Sequence, residues 1–215
     1  MGLYHSPRIV TDGLVLCLDA GNRKSYPGSG TTWTDLSGRG NNGTLVNGVV
    51  FSNSNGGIFD FDGTDDYISI PINLTNTTYT IIGIARYKGT DNERVISSNS
   101  GNWLMGWWGG QTNKYYAEGW VSNSGGDTAE TNWICYAATG NQSGDSWQLY
   151  RNGVSIVGPN ANGVNGPNGI RLGSSGVYSA ETSACQVSYV LAYNRVLTAA
   201  EITQNFNATR GRFGI

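Results

Sequence analysis

The chain has 215 residues, with 13 Lys and Arg against 15 Asp and Glu and a net charge of -2. Charged residues make up 13%, about half the ~25% usual for globular domains, and no basic stripe is present, which argues against nucleic acid as a partner. No run approaches the ~20 apolar residues of a membrane span, and no basic start followed by an apolar stretch marks a secretory leader.

Residues 1–11 read as an N-terminal arm, and it carries the only histidine, His5. DGLVLCLDAGN then predicts a strand over 14–19, stopped by Gly21 and Asn22. Residues 23–43 are loop-like, with Trp33 and Leu36 expected to tuck them onto the body. GTLVNGVVF holds Asn47-Gly48, a strong hairpin signal. IFDF and YISI follow, and TYTIIGIARY gives a longer strand with Gly83 at a point of close backbone approach. RVISS, WLMGWW, KYYAEGWV, TNWICYAATG and SWQLYRNGVSIV continue the series, the last with a second hairpin turn at Asn152-Gly153. After an aperiodic loop over 158–169, IRLGSS and CQVSYVLAYNR close the β set.

One stretch reads as helix, LTAAEITQNFNA, with Thr198 and Glu201 spaced as a capping box and Ile202 and Phe206 on one face. Roughly twelve strands without a βαβ rhythm predict two packed antiparallel sheets. Glycine is abundant, 32 residues, yet 7 Trp, 12 Tyr and 5 Phe supply the apolar area that disordered chains lack. Cys17, Cys135 and Cys185 lie in apolar stretches and are expected to be free core thiols.

FDFDGTDDYISI places Asp60, Asp62, Asp65 and Asp66 close together. Asp62-Gly63 is a turn signal, and the carboxylates can accept backbone N–H groups to shape that turn. Asp62, Asp65 and Asp66 are alternatively candidate ligands for calcium, although their spacing is not that of an EF-hand loop. No cofactor is required on either view. The single histidine rules out a zinc site built on paired histidines. Asp60 and Asp62 have the spacing of a catalytic pair, but the turn needs Asp62, so glycoside hydrolysis ranks last.

The stronger feature is aromatic. Alternation in WLMGWW turns Trp103, Met105 and Trp107 one way and Leu104 and Trp108 the other. Trp and Tyr planes beside amides and carboxylates bind sugars, the ring covering C–H faces while polar groups take hydroxyls. Trp107, Trp108, Tyr116 and Trp120 are therefore the candidate ligand-binding residues. Core packing or an oligomer contact would account for the same aromatics.

The ordered set DGLVLCLDAGN, WTDLSGRGNNGTL, FDFDGTDDYISI, WQLYRNGVSI and VSYVLAYNRVLTAAEITQNFNATRGRFG resembles the laminin-G-like branch of the concanavalin A-like lectin/glucanase superfamily. In particular it is similar to single-domain versions from tailed bacteriophages that form virion or fibre proteins. The resemblance implies a jelly-roll sandwich with one short C-terminal helix, over residues 12–208, and a tail at 209–215. It implies that strands 14–19 and 185–193 are neighbours, and that Arg195, Leu197 and Ile202 are packing positions. The catalytic strand of the glucanase branch is not matched, so a non-enzymatic protein is expected. The function implied first is a virion surface protein, a capsid decoration or fibre component present in multiple copies, docking through Leu3, Tyr4, Phe213 and Ile215. The alternative is a carbohydrate-binding module for glycans.

Overall fold

The computed structural model describes residues 7–123 and 127–215, without the side chains of 90–92. The strands in chain order begin with β1 (Leu14–Asp19), β2 (Thr32–Trp33), β3 (Gly43–Val46), β4 (Val50–Ser52) and β5 (Ile58–Asp62). Then come β6 (Tyr67–Asn73), β7 (Thr78–Asn92), β8 (Ile96–Ser97), β9 (Trp103–Trp108) and β10 (Gln111–Ala117). The last are β11 (Ile134–Asn141), β12 (Ser146–Arg151), β13 (Val154–Asn160), β14 (Asn168–Leu172) and β15 (Ser183–Tyr193), followed by helix α1 (Ala199–Thr209). They form two antiparallel sheets, the jelly-roll sandwich expected from the sequence. The larger has the order β13-β12-β11-β7-β15-β5-β4, with β1 also on β15; the smaller runs β10-β9-β8-β14-β6-β3-β2.

β15 explains the layering. All eleven of its residues are buried, which a strand open to water on one face would not allow. Its inward set, with Val187 and Val190, joins the core between the sheets. Its outward set, Tyr189, Leu191 and Tyr193, lies under Leu197, Ile202, Phe206 and Phe213 of the C-terminal segment. The second half of β15 pairs with β1, Leu14 opposite Tyr193 and Asp19 opposite Tyr189, so the two strands meet as expected.

α1 has the anticipated capping box, Thr198 accepting from the Glu201 N–H while the Glu201 carboxylate takes the Thr198 N–H. Its buried face includes Ile202 and Phe206. The three cysteines are free and buried. Asp35 shows what the WTDLSGRGNN motif does: its carboxylate accepts N–H groups from Cys17, Ser37 and Asn41 and pins the loop to β1.

Three local expectations change. Asn47 and Gly48 both take positive φ, 59° and 92°, as an Asn-Gly turn requires. The flanking strands do not pair, however: β3 joins β6 and β4 joins β5, so the turn is a corner between sheets and not a hairpin. The hairpin at Asn152-Gly153 does form, with Arg151 opposite Val154. Gly83 is approached by a side chain, not by backbone; a Cβ there would stand 2.5 Å from Ile96 Cδ1. Phe213, expected to await a partner, is buried against Trp133 with ring centroids 4.9 Å apart. Ile215 is half-buried beside it, while Leu3 and Tyr4 lie outside the described residues.

A relay of buried hydroxyls crosses the sandwich. Trp103 Nε1 donates to Tyr79 Oη at 2.8 Å, Tyr79 and Tyr115 share a hydrogen bond of 2.8 Å, and Tyr115 Oη donates to the Thr139 carbonyl at 3.1 Å. Tyr79→Phe leaves the Trp103 N–H buried and unpaired, which costs about 1–3 kcal/mol. Equilibrium urea unfolding should show that loss as a lower midpoint with an unchanged slope.

Candidate functional site

The outer face of the smaller sheet carries a cavity. Leu104 and Trp108 of β9 and Tyr116 of β10 point away from the core, as period-2 alternation requires. The chain after β10 folds back so that Trp120 bridges to Tyr116. Trp120 then packs on both aromatics, with centroids 5.3 Å from Trp108 and 5.0 Å from Tyr116. Behind it lies Lys114, with Nζ 5.8 Å from the Trp120 ring and donating to the Asn123 carbonyl.

The opposite wall comes from the loop between β14 and β15. Tyr178, largely exposed, covers Arg94, whose Cζ is 5.2 Å from the ring centroid. Glu181 pairs with the buried Arg94 and accepts a long contact from Trp108 Nε1 at 3.4 Å. Asn102 reaches Tyr178 Oη at 3.4 Å. These side chains enclose a cavity of about 230 Å³. Glu93 nearby is raised above the usual carboxylate range by burial and by the charge of Glu181.

Of the four aromatics expected at the ligand face, three meet here. The fourth, Trp107, does not. It is 1% exposed and stands edge-on to Tyr136 at 4.8 Å in the core between the sheets. Alternation separated Trp107 from Trp108 correctly, but a ligand can use only the outer one. Arg94, Asn102, Tyr178 and Glu181 had no signal in the sequence; they converge through contacts as distant as 87 residues along the chain.

The aspartate stretch is a turn. Both Asp66 oxygens accept the Asp62 N–H, at 3.2 and 3.1 Å, and Asp62 Oδ1 accepts the Thr64 N–H at 2.7 Å. Among the described residues no group of three or more His, Cys, Asp or Glu side chains is placed to hold a metal ion. These contacts give Asp62 and Asp66 the turn-shaping role that the sequence offered as one of two readings.

Burial raises the Asp66 carboxyl to about 6, against the N–H of Asp62, which favours the charged form. The folded chain therefore holds this proton more tightly than the unfolded one. The resulting stability is complete below the ordinary carboxylate range and is lost as pH rises through about 6. Wild-type stability should rise by about 1–3 kcal/mol as pH falls from 6.5 to 4.5, read as a melting temperature higher by roughly 2–12 °C. Asp66→Asn should remove that part of the climb in a thermal melt series.

No protein-family model matches the sequence, and no curated protein does. Solved structures do. A sialidase from Trypanosoma rangeli superimposes with a TM-score of 0.64 at 16% identity over 93% of this chain and 33% of that one. The binding domain of Paraclostridial Mosquitocidal Protein 1 gives 0.65 at 16% identity, over 92% and 52%. The receptor-binding domain of botulinum neurotoxin type G gives 0.57 at 15%, over 91% and 51%. What they share is the fold, a sandwich of antiparallel β-sheets. This chain spans about a third of the sialidase and about half of each toxin domain.

Proposed function

We propose that this chain is a non-enzymatic carbohydrate-binding module whose site is the aromatic pocket of Trp108, Tyr116, Trp120 and Tyr178. The observation that carries this is the meeting of three aromatic rings, packed tilted and edge-on against one another, with Asn102 and Glu181 in one outward-facing cavity. Rings of this kind cover the C–H face of a pyranose, and the amide and carboxylate beside them accept or donate to its hydroxyls. Two of the fold's relatives are named as binding domains, which supports the same direction.

Glu181 favours binding over hydrolysis. Its carboxylate is engaged by Arg94 and touched by the Trp108 indole, and Glu93 does not line the pocket. The commonest glycoside hydrolase arrangement, two carboxyl groups about 5–9.5 Å apart across the sugar, is not what this pocket presents. Display on a phage particle, which the sequence resemblance implies, would provide such a module with a mounting. The relatives named above are a sialidase and toxin domains, so glycan binding is put ahead of assembly.

The test is a glycan array read with and without calcium, together with tryptophan fluorescence on titrating each hit. Binding that quenches tryptophan emission is expected. No hit in either condition, or hits that leave the fluorescence unmoved, would overturn the proposal. Dependence on calcium would separately favour a cation held near Asp62, Asp65 and Asp66.

A further inference from the structure

A second cavity, of about 350 Å³, opens beside the first on the other side of the loop between β14 and β15. That volume lies at the lower end of the ~300–1,000 Å³ typical of small-molecule sites. Its floor is Arg171 of β14 and Tyr67 of β6, both on the outer face of the smaller sheet, since their neighbours Leu172 and Ile68 fill the core. The Arg171 Cζ stands 3.4 Å from the Tyr67 ring centroid, and its Nε donates to Ser174 Oγ at 2.8 Å.

Those two contacts hold the guanidinium plane in the cavity lining, and among the described residues its two terminal nitrogens meet no hydrogen-bond acceptor. Arg94, Arg151, Arg195 and Arg212 each meet a carboxylate. Arg171 meets none among the described residues. A guanidinium fixed in this way, with an open end, matches a planar carboxylate through two parallel hydrogen bonds. The rest of the lining suits hydroxyls. Ser175 Oγ accepts the N–H groups of Val177 and Tyr178, which leaves its own hydrogen to donate. Asn47 donates to the Asp65 carbonyl, which leaves its amide oxygen to accept. The Asp65 carboxylate at the mouth repels a bare anion but accepts hydroxyl hydrogens. Exposed Val177 supplies an apolar edge.

We infer that this cavity is a second binding site, for a sugar that bears a carboxylate, with Arg171 taking the acid and Asp65, Asn47 and Ser175 taking hydroxyls. It does not depend on the aromatic pocket. The experiment is a titration of the full chain, labelled with nitrogen-15, with glucuronic acid, glucose and sodium acetate. Glucuronate should give saturable amide shifts centred on Asn47, Asp65 and 174–177, at least tenfold tighter than glucose or acetate. Arg171→Gln should weaken glucuronate at least tenfold while the remaining spectrum stays native. Should that variant lose its dispersed spectrum, Arg171→Lys keeps the charge without the fork and should still bind several-fold more weakly than wild type. Shifts centred on residues 104–120, no saturable shifts, equal binding of acetate, or wild-type affinity in the variants would each overturn the inference.

Discussion

Trp120→Ala should weaken glycan binding about thirtyfold while leaving the melting temperature almost unchanged. A sugar face resting on the indole removes roughly 80 Å² of ring from water, and at ~25 cal/mol per Å² that is about 2 kcal/mol. Trp120 is partly buried but lies in a loop after β10 and outside both core clusters, so its removal opens no core cavity. Its ring also sets the other two, being the shared neighbour of Trp108 and Tyr116. Isothermal titration with the best glycan from the array gives the affinity. An affinity within twofold of wild type would remove Trp120 from the site. Trp107→Phe is the informative comparison, because it changes a ring in the core and should move stability more than binding.

Phe213→Ala should destabilise the fold by about 3 kcal/mol, at the low end for a buried aromatic because the ring lies at the edge of its cluster. At ~2–4 °C per kcal/mol for a chain of this size, the melting temperature should fall by roughly 6–12 °C. Phe213 closes the outer core of the larger sheet, against Trp133 and beside the side chains that cover β15. Arg212 ties the same segment down by pairing with Asp19 at 2.6 Å and donating to the Gly57 carbonyl. A segment waiting for a partner would behave otherwise: its removal would leave the isolated chain as stable as before. Scanning calorimetry decides between the two.

The N-terminal arm shows the same docking where it is described. The Val10 N–H donates to Asn205 Oδ1 at 2.8 Å, and Tyr193 Oη donates to the Val10 carbonyl at 2.9 Å. Both ends of the described chain therefore use apolar residues to cover the outer face of the larger sheet. Sequence proximity to a terminus suggested openness for Phe213. Burial shows that an apolar side chain near an end needs a surface, and here the chain supplies its own.

Alternation along WLMGWW settled that Trp107 and Trp108 point in opposite directions, because successive strand residues leave the backbone on opposite faces. It could not settle which direction was inward, since that depends on where the second sheet lies. The positive φ of Asn47 and Gly48 was legible in the same way, being a property of two residues and their neighbours. Which strands the turn would join was not, because pairing is decided by segments far along the chain. The capping box, the free thiols and the two-sheet architecture belong to the first kind of information: each follows from short-range stereochemistry or from where apolar residues recur. The walls of the two cavities belong to the second, since Arg94 with Glu181 and Tyr67 with Arg171 are brought together only when β14 and the loop after it settle across the smaller sheet. Local sequence carries backbone preference and side-chain period; the convergence of distant polar groups has no local signature, and only the packed sheets create it.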